Sequence, residues 1–446
     1  MSRDLIIGNG IIITLGEVNR IIKNGAVLIK DGTIAAVGEE TDVRALSPGA
    51  RYVDAGGHLI MPGFINAHHH LYSTFARGLA PHDPPPYTFV EILERMWWPL
   101  DKALGKEDIY FSALIPLIDC VRKGATTIID HHESQGYQAG SLEQLAWAAR
   151  EIGIRSSFCL GISDRYGKGE EGIEENARFL KEVQSTSAAE QKMVTGMFGL
   201  HAAFTVEDGT LERAVAAADR LGVGFHTHVA EAASDEEASV DKFGLRVLER
   251  LHRKGALGPK SLAIHCVHIN EREMEILKET GTAAVHNPES NMNNAVGVAP
   301  ILEMTGKGIE VGLGTDAMTS NMCKEVQVAN ILQHLSKMDP RVAFCESCQL
   351  LLQNNPRIAS RLFGAEVGVL KPGAAGDVIV VDYLPPTPMS ESNFLGHFLF
   401  GICETSVITT VVNGKVLMED RELIGIDEEK ICARSRELAA EFLKRF

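Results

Sequence analysis

The chain has 446 residues, 45% of them hydrophobic and 23% charged, and a formal net charge of -16, which is length enough for one large domain and a smaller one. An acidic balance without a Lys/Arg cluster argues against a nucleic-acid surface, because neutralising phosphates takes clustered cations, and no stretch approaches the length of a membrane span. The first ten residues show no charged segment followed by a long apolar run, so the expected compartment is the cytoplasm; the eight scattered cysteines read as reduced, mostly buried thiols rather than a disulfide framework.

In chain order, residues 4–7, 11–14, 26–30 and 33–37 read as short strands, the last two joined by Asp31-Gly32, a strong hairpin signal. A matching pattern returns at residues 377–382 and 406–412, with a second tight turn at Asn413-Gly414 before residues 415–418. Both ends therefore read as one small β module split by an insertion.

Between them, short apolar runs alternate with helical stretches, the pattern of βα units around a parallel sheet. The runs are residues 126–129, 197–200, 222–226, 261–264, 283–285 and 310–313. Helical periodicity fits residues 142–152, 173–183, 211–221, 241–254, 271–279 and 335–354. Roughly eight such repeats over about 300 residues suit a (β/α)8 TIM barrel, whose active site lies at the strand carboxyl ends. The expected fold class is α/β, with a small discontinuous β-sandwich formed by both chain ends. Its parts are residues 1–57 and 371–425, around a barrel at 58–370 and before a C-terminal amphipathic helix at 426–446.

Metal-competent residues recur just after these apolar runs. In Asn66-Ala67-His68-His69-His70, alternation along an extended chain points His68 and His70 to one side and His69 to the other. His226-Thr227-His228 repeats the spacing and has Glu231 three residues on. His265 and His268 follow the next run, and Thr315-Asp316 ends another. Each alone is weak, since a single strand-end histidine is usually a hydrogen-bonded structural residue. In a barrel, however, all strand carboxyl ends meet at one pocket, so four such placements imply one centre.

Pro62-Gly63-x-x-x-x-His68-x-His70, His228-x-x-Glu231, His265, His286-Asn287-Pro288-x-Ser290-Asn291 and Thr315-Asp316 together resemble the cytosine/adenosine-deaminase-like branch of the amidohydrolase superfamily. The resemblance runs in order from about residue 4 to about residue 420. Within that branch, His68-His69-His70, His131-His132 and Leu200-His201-Ala202-Ala203-Phe204-Thr205 look closest to the SsnA-type aminohydrolases.

Carried over position by position, the resemblance implies one divalent ion, Zn(II) or Fe(II), held by His68, His70, His228 and Asp316. It gives Asp316 and His265 to the attacking water and Glu231 to protonation of a ring nitrogen, and it places His201 in the substrate pocket. Ala202-Ala203-Phe204 stands where many relatives carry Ala-Pro-Tyr, so that side of the pocket is altered. Binuclear relatives carry a bridging lysine near the end of the fourth strand; Met197-Phe198-Gly199-Leu200-His201 has none, which favours one metal.

These roles are chemically coherent. A bound divalent ion lowers the pKa of its water from about 15.7 to roughly 7 to 9, and the metal-bound hydroxide so formed attacks a ring carbon. Negative charge then builds where the ion and His265 stabilise it, while Glu231 supplies the proton that makes the carbon electrophilic.

Other candidates are placed less directly. Trp97 fits either a face packed on a planar substrate or a helix core, and Arg77 either a contact to a polar substrate group or a structural ion pair. His131 and His132 follow a strand, so one of them is a candidate for the pocket, as are His286 and Asn291. Cys345-Glu346-Ser347-Cys348 superficially matches half of a small zinc deaminase site, but no Pro precedes it and its partner His-x-Glu lies more than 200 residues away.

The sequence thus points to an aminohydrolase acting on a small planar nitrogen heterocycle of purine, pyrimidine, pterin or triazine type, a hydrolase of non-peptide C–N bonds. Opening of a cyclic amide on the same site, and a catalytically silent scaffold, are the alternatives. Homo-oligomerisation is common among soluble proteins, and no part of the sequence locates an interface.

Overall fold

The computed structural model describes residues 4–79 and 84–446. Its two ends are hydrogen-bonded into one nine-stranded sheet. Leu5–Ile13, Ile21–Lys30, Thr33–Glu39, Arg51–Asp54 and Leu59–Pro62 come from the first part of the chain, and Val378–Val381, Val407–Val412, Lys415–Glu419 and Glu422–Leu423 from the last. Both tight turns form as their dipeptides require. Asp31 and Gly32 have φ of 46° and 76°, Asn413 and Gly414 of 49° and 74°, the double left-handed geometry that matches strand twist.

Two expectations need correction here. The segments at 4–7 and 11–14 are one strand, Leu5–Ile13, whose register shifts around Gly10; Gly8-Asn9-Gly10 makes a bulge with Asn9 at φ 53°, not a turn. Leu59–Pro62 pairs with Leu5–Ile13 and with Val378–Val381, so the first part of the end module reaches past residue 57.

The middle of the chain supplies two sheets in which all neighbours are parallel. Phe64–His69, Ala125–His132, Arg155–Leu160 and Val194–Gly196 form one, and Phe198–Ala202, Phe225–Val229, Leu262–His265, Ala283–His286 and Val311–Leu313 the other. Parallel bridges join Ile162 to Leu200 and His69 to Asp316, linking the two sheets at both margins. The strands are buried along almost their full length, which is why they read as apolar runs and not as alternations.

Helices lie between the strands largely where periodicity placed them, with two breaks. The stretch at 241–254 is two helices, Ala233–Phe243 and Val247–Lys254, divided by Gly244 at φ 70°, a left-handed C-cap. The stretch at 335–354 is likewise divided after Lys337, where Met338 turns to φ 50°. The last helix, Glu428–Phe442, packs on Lys106–Arg122 and buries Ile431, Leu438 and Phe442. Among the described residues no helix is long and apolar enough to cross a membrane.

Candidate active site

The carboxyl ends of the parallel strands converge on buried imidazoles and carboxylates. His68 and His70 leave the Phe64–His69 strand on one side; His69 turns the other way, its Nδ1 2.6 Å from the backbone oxygen of Asp316. The ring centroids of His68 lie 4.7 Å from His70 and 5.2 Å from His228. Asp316 Oδ1 stands 3.1 Å from His70 Nε2 and 3.7 Å from His68 Nε2. His265 Nε2 lies 3.3 Å from Glu231 Oε2 and 3.8 Å from Asp316 Oδ2. Donor atoms of His68, His70 and Asp316 fall within 4.8 Å of one another, as do those of His68, His228 and His265.

Tautomers follow from the hydrogen bonds. His70 Nδ1 donates to the His131 carbonyl and His228 Nδ1 to the His201 carbonyl, so each neutral ring presents its Nε2 lone pair inward. These two nitrogens are 3.2 Å apart. Two bare lone pairs at that separation repel; a cation between them removes the conflict, and two ligands about 2.0–2.1 Å from one ion lie at roughly this spacing. His68 Nδ1 is similarly engaged, 2.8 Å from His226 Nε2, which leaves its Nε2 without a partner. The donor set fits one divalent ion.

Electrostatics make the same demand. Burial alone would lower the pKa of His70, but the Asp316 carboxylate outweighs it and lifts the ring to about 9. Burial would raise Asp316; His68 and His70 hold it well below the carboxylate range. The centre thus calls for positive charge, as protons or as a metal ion. Glu231 goes the other way: burial, then the charges of Asp316 and Asp235, push it well above the usual carboxyl value, which favours its protonated form.

Local backbone strain is also held at this point. Ala230, His265, Cys266 and Asp316 have φ of 47°, 71°, 51° and 52°, a region costly for residues with a Cβ. Asn291 accepts from His265 Nδ1 at 2.8 Å, and Ser290 donates to Asp316 Oδ2.

Beside the centre opens a cavity of about 320 Å³. Its floor includes His70, His228, Glu231, His265 and Asp316, and its walls include Tyr72, Phe89, Met96, Trp97, His201 and Phe204. Of the other expected substrate residues, Trp97 and His201 line it and five do not. Arg77 is largely exposed, 3.9 Å from Asp119. His131 is locked to the Leu200 carbonyl at 3.1 Å behind the centre. His132 and His286 are fully enclosed by the core, and Asn291 acts through His265. Sequence reasoning missed Tyr72, Asp101 and Glu133, which also line the cavity; the buried-charge pattern that marks the last two appears only once the chain is folded.

A buried carboxylate stands among converging imidazoles at the ends of parallel strands, next to a buried glutamic acid and an aromatic cavity, a donor set that suits a divalent cation. The amidohydrolase family model matches residues 59–417, and a model of an imidazolonepropionase-like composite domain of bacteria matches residues 25–50. The chain belongs to the amidohydrolase family. It is 32% identical to a 5'-deoxyadenosine deaminase of Methanosarcina mazei, covering 99% of both chains. Against a 5-methylthioadenosine/S-adenosylhomocysteine deaminase of Pelotomaculum thermopropionicum it is 31% identical, again over 99% of both. Among solved structures it is similar to an adenosine deaminase from Xanthomonas campestris with bound zinc, with TM-score 0.86, 24% identity and 99% of each chain covered. A triazine hydrolase from Arthrobacter aurescens gives TM-score 0.82 and 23% identity, over 98% of this chain and all of that one.

Proposed function

We propose that this chain is a metal-dependent aminohydrolase that releases ammonia from a small nitrogen heterocycle, with His68, His70, His228 and Asp316 as ligands of one Zn(II) or Fe(II) ion. The observation that carries the reading is the pair of inward Nε2 atoms of His70 and His228, 3.2 Å apart, beside a Glu231 whose burial favours the protonated carboxyl. Both metals accept this N/O donor set.

The ion, when bound, acidifies water and polarises the carbon under attack. The protein's own groups supply the proton transfers. His265, its Nδ1 proton held by Asn291, offers Nε2 as acceptor beside Asp316, and the two take the proton released as water adds to the ring carbon. Once protonated, His265 stabilises the negative oxygen that develops. Glu231 passes its proton to the adjacent ring nitrogen, with Asn294 Nδ2 donating to Glu231 Oε1 at 3.1 Å to orient it. The amino group then takes the proton from the Asp316 side and leaves as ammonia, while the added hydroxyl returns its remaining proton to Glu231 and closes to a carbonyl, so that both protons of the water are placed and Glu231 is restored. Trp97, Tyr72 and Phe204 offer flat apolar faces to the ring, and His201 stands at the cavity wall.

We read the two bridged parallel sheets as one closed (β/α)8 barrel, with Val194–Gly196 and Phe198–Ala202 as a single interrupted strand. The nine-stranded sheet is read as curling into a sandwich. A shared core of Ile7, Ile29, Val378 and Val411 supports that, as does the bond from Gly376 N to Gly32 O at 2.8 Å.

The test is a panel of heterocycles given to metal-loaded protein, with ammonia and ring ultraviolet absorbance read together. Adenosine, 5'-deoxyadenosine and guanine lead the panel. Stoichiometric ammonia with the ring intact is the expected result; loss of ring absorbance without ammonia would replace deamination by ring opening.

A further inference from the structure

We propose that Arg250, which lies outside the cavity, is a specificity-positioning residue: by fastening the turn Ala203–Thr205 it sets Phe204 as a fixed wall against the substrate ring. The proposal deepens the aminohydrolase reading and rests on it only for the choice of ligands to try.

Phe204 does not hold its own place. It is the middle residue of a three-residue 3-10 turn that follows the strand Phe198–Ala202, and so short a turn leaves its carbonyls in need of outside partners. The two residues before it are alanines, whose side chains end at Cβ and reach nothing distant. The strand side is secured by Thr205, whose Oγ1 donates to Ala202 O at 3.0 Å and lies 2.9 Å from His201 Nδ1, and whose carbonyl accepts from Asp164 N at 2.8 Å. The carbonyls of Ala203 and Val206 are taken up by a different element, the helix Val247–Lys254. Arg250 of that helix meets both, Nη1 donating to Ala203 O at 2.6 Å and Nη2 to Val206 O at 2.7 Å. These two contacts straddle Phe204. Nε and Nη2 also donate to Asp208 Oδ1 at 3.0 and 2.8 Å, and the guanidinium lies 3.4 Å from the centre of the Phe243 ring.

The choice of side chain points beyond simple packing. The Arg250 side chain is 1% exposed and its carboxylate partner Asp208 47% exposed, so the cation loses its hydration while the ion pair, open to water on one side, offsets little of that loss. An apolar residue would join the helices Val247–Lys254 and Asp208–Leu221 with less desolvation. It would not hold two carbonyls at a set separation, which the planar guanidinium fork does. Phe204, with the His201 ring 6.4 Å from its own, is thereby kept on the cavity wall. A wall that does not yield favours the ring that fits it over one that does not. Among the described residues, none of the hydrogen bonds of Arg250 reaches the catalytic centre, so the wall is separable from the chemistry.

The experiment compares adenosine with guanine on metal-loaded protein, reading ammonia for turnover and calorimetry for affinity. Arg250→Lys, which replaces the fork by a single nitrogen, should raise KM and the dissociation constant of the tighter probe by about threefold to tenfold, the scale of one aromatic contact. Metal content and kcat should hold, and the preference between the two probes should narrow. Phe204→Ala should act likewise, and adding Arg250→Lys to it should change nothing more, because the fork then has no wall to place. In protein without substrate, amide hydrogen exchange in Arg250→Lys should quicken at residues 203–206 and stay unchanged at 247–254. An affinity indifferent to Arg250→Lys overturns the proposal, as do effects that add in the double variant, or a loss of turnover equal for both probes with KM unmoved, which is the mark of a scaffold role. Should Arg250→Lys not fold, Asp208→Asn at the exposed end of the pair should shift the same preference by about twofold, within the range for a partly solvated ion pair; no shift there overturns the proposal as well. Affinities that follow this pattern with no ammonia formed would count against deamination and leave the wall standing, whereas ammonia formed with a KM that ignores Arg250→Lys would do the opposite.

Discussion

Two groups of buried charge sit at opposite ends of the parallel strands, and they are built differently. Arg155 opens the Arg155–Leu160 strand and pairs with Asp377 of the nine-stranded sheet through Nε at 2.9 Å and Nη2 at 3.0 Å. Both side chains are 1% exposed. Asp377 also accepts from Asn413 N at 2.7 Å, and Arg155 Nη1 donates to the Lys192 carbonyl. At the other end, His68, His70 and Asp316 are buried and His228 half-buried, yet lone pairs face one another and His68 Nε2 has no partner. Saturation distinguishes the two more than burial does. A charge whose hydrogen bonds are complete fastens the sheet to the strands, whereas an incomplete set is waiting for a ligand, which is how the two ends of parallel strands divide stability from chemistry.

The comparison breaks most visibly at Asp377. Asp377→Ala leaves Arg155 buried and unpaired and should destabilise the protein by about 3–5 kcal/mol, read from urea unfolding with the slope unchanged. Turnover per folded molecule should hold, because no residue of the catalytic centre touches the pair. Reduced turnover at full stability would mean that the two ends are coupled.

Glu231→Gln is the converse. It should lower ammonia release by about two decades, close to 2.7 kcal/mol of barrier, with metal content unchanged. Stability should not fall, since burying the glutamic acid is itself unfavourable. Turnover at the original rate would remove Glu231 from the proton path.

Legibility in the sequence followed the same division. Asp31-Gly32 and Asn413-Gly414 announced their turns because few other pairs accept two positive φ values. The proposed ligand set was legible as a candidate because each member sits at the end of an apolar run, where a strand must stop. Local signals failed where the structure depends on contacts across the chain. Arg77 drew notice as a cation after the first parallel strand, yet nothing local shows that it turns to solvent and Asp119. His131, His132, His286 and Asn291 share motifs with pocket residues but lie in the layer behind. Asp101, Glu133 and Arg165 are spaced about 32 residues apart, carry no motif, and become neighbours only when a helix and two strand ends are brought together.

His226 sharpens the comparison further, since it lies behind the centre and belongs to neither group. Its Nε2 takes the Nδ1 proton of His68 at 2.8 Å, which fixes the tautomer that turns His68 Nε2 toward Asp316. Its own Nδ1 is buried without a partner, so the pair is half saturated. A ligand histidine usually hands this proton to a carbonyl or carboxylate; an imidazole acceptor is weaker and leaves His68 less electron-rich. His226→Gln keeps an acceptor but shifts its position, and should weaken metal affinity by roughly tenfold, within the 10–100-fold range for such outer partners. Competition with a chromophoric chelator reads this directly, without any substrate. Unchanged affinity would show that packing alone orients His68, and that the unsaturated end of the strands needs no support from the layer behind it.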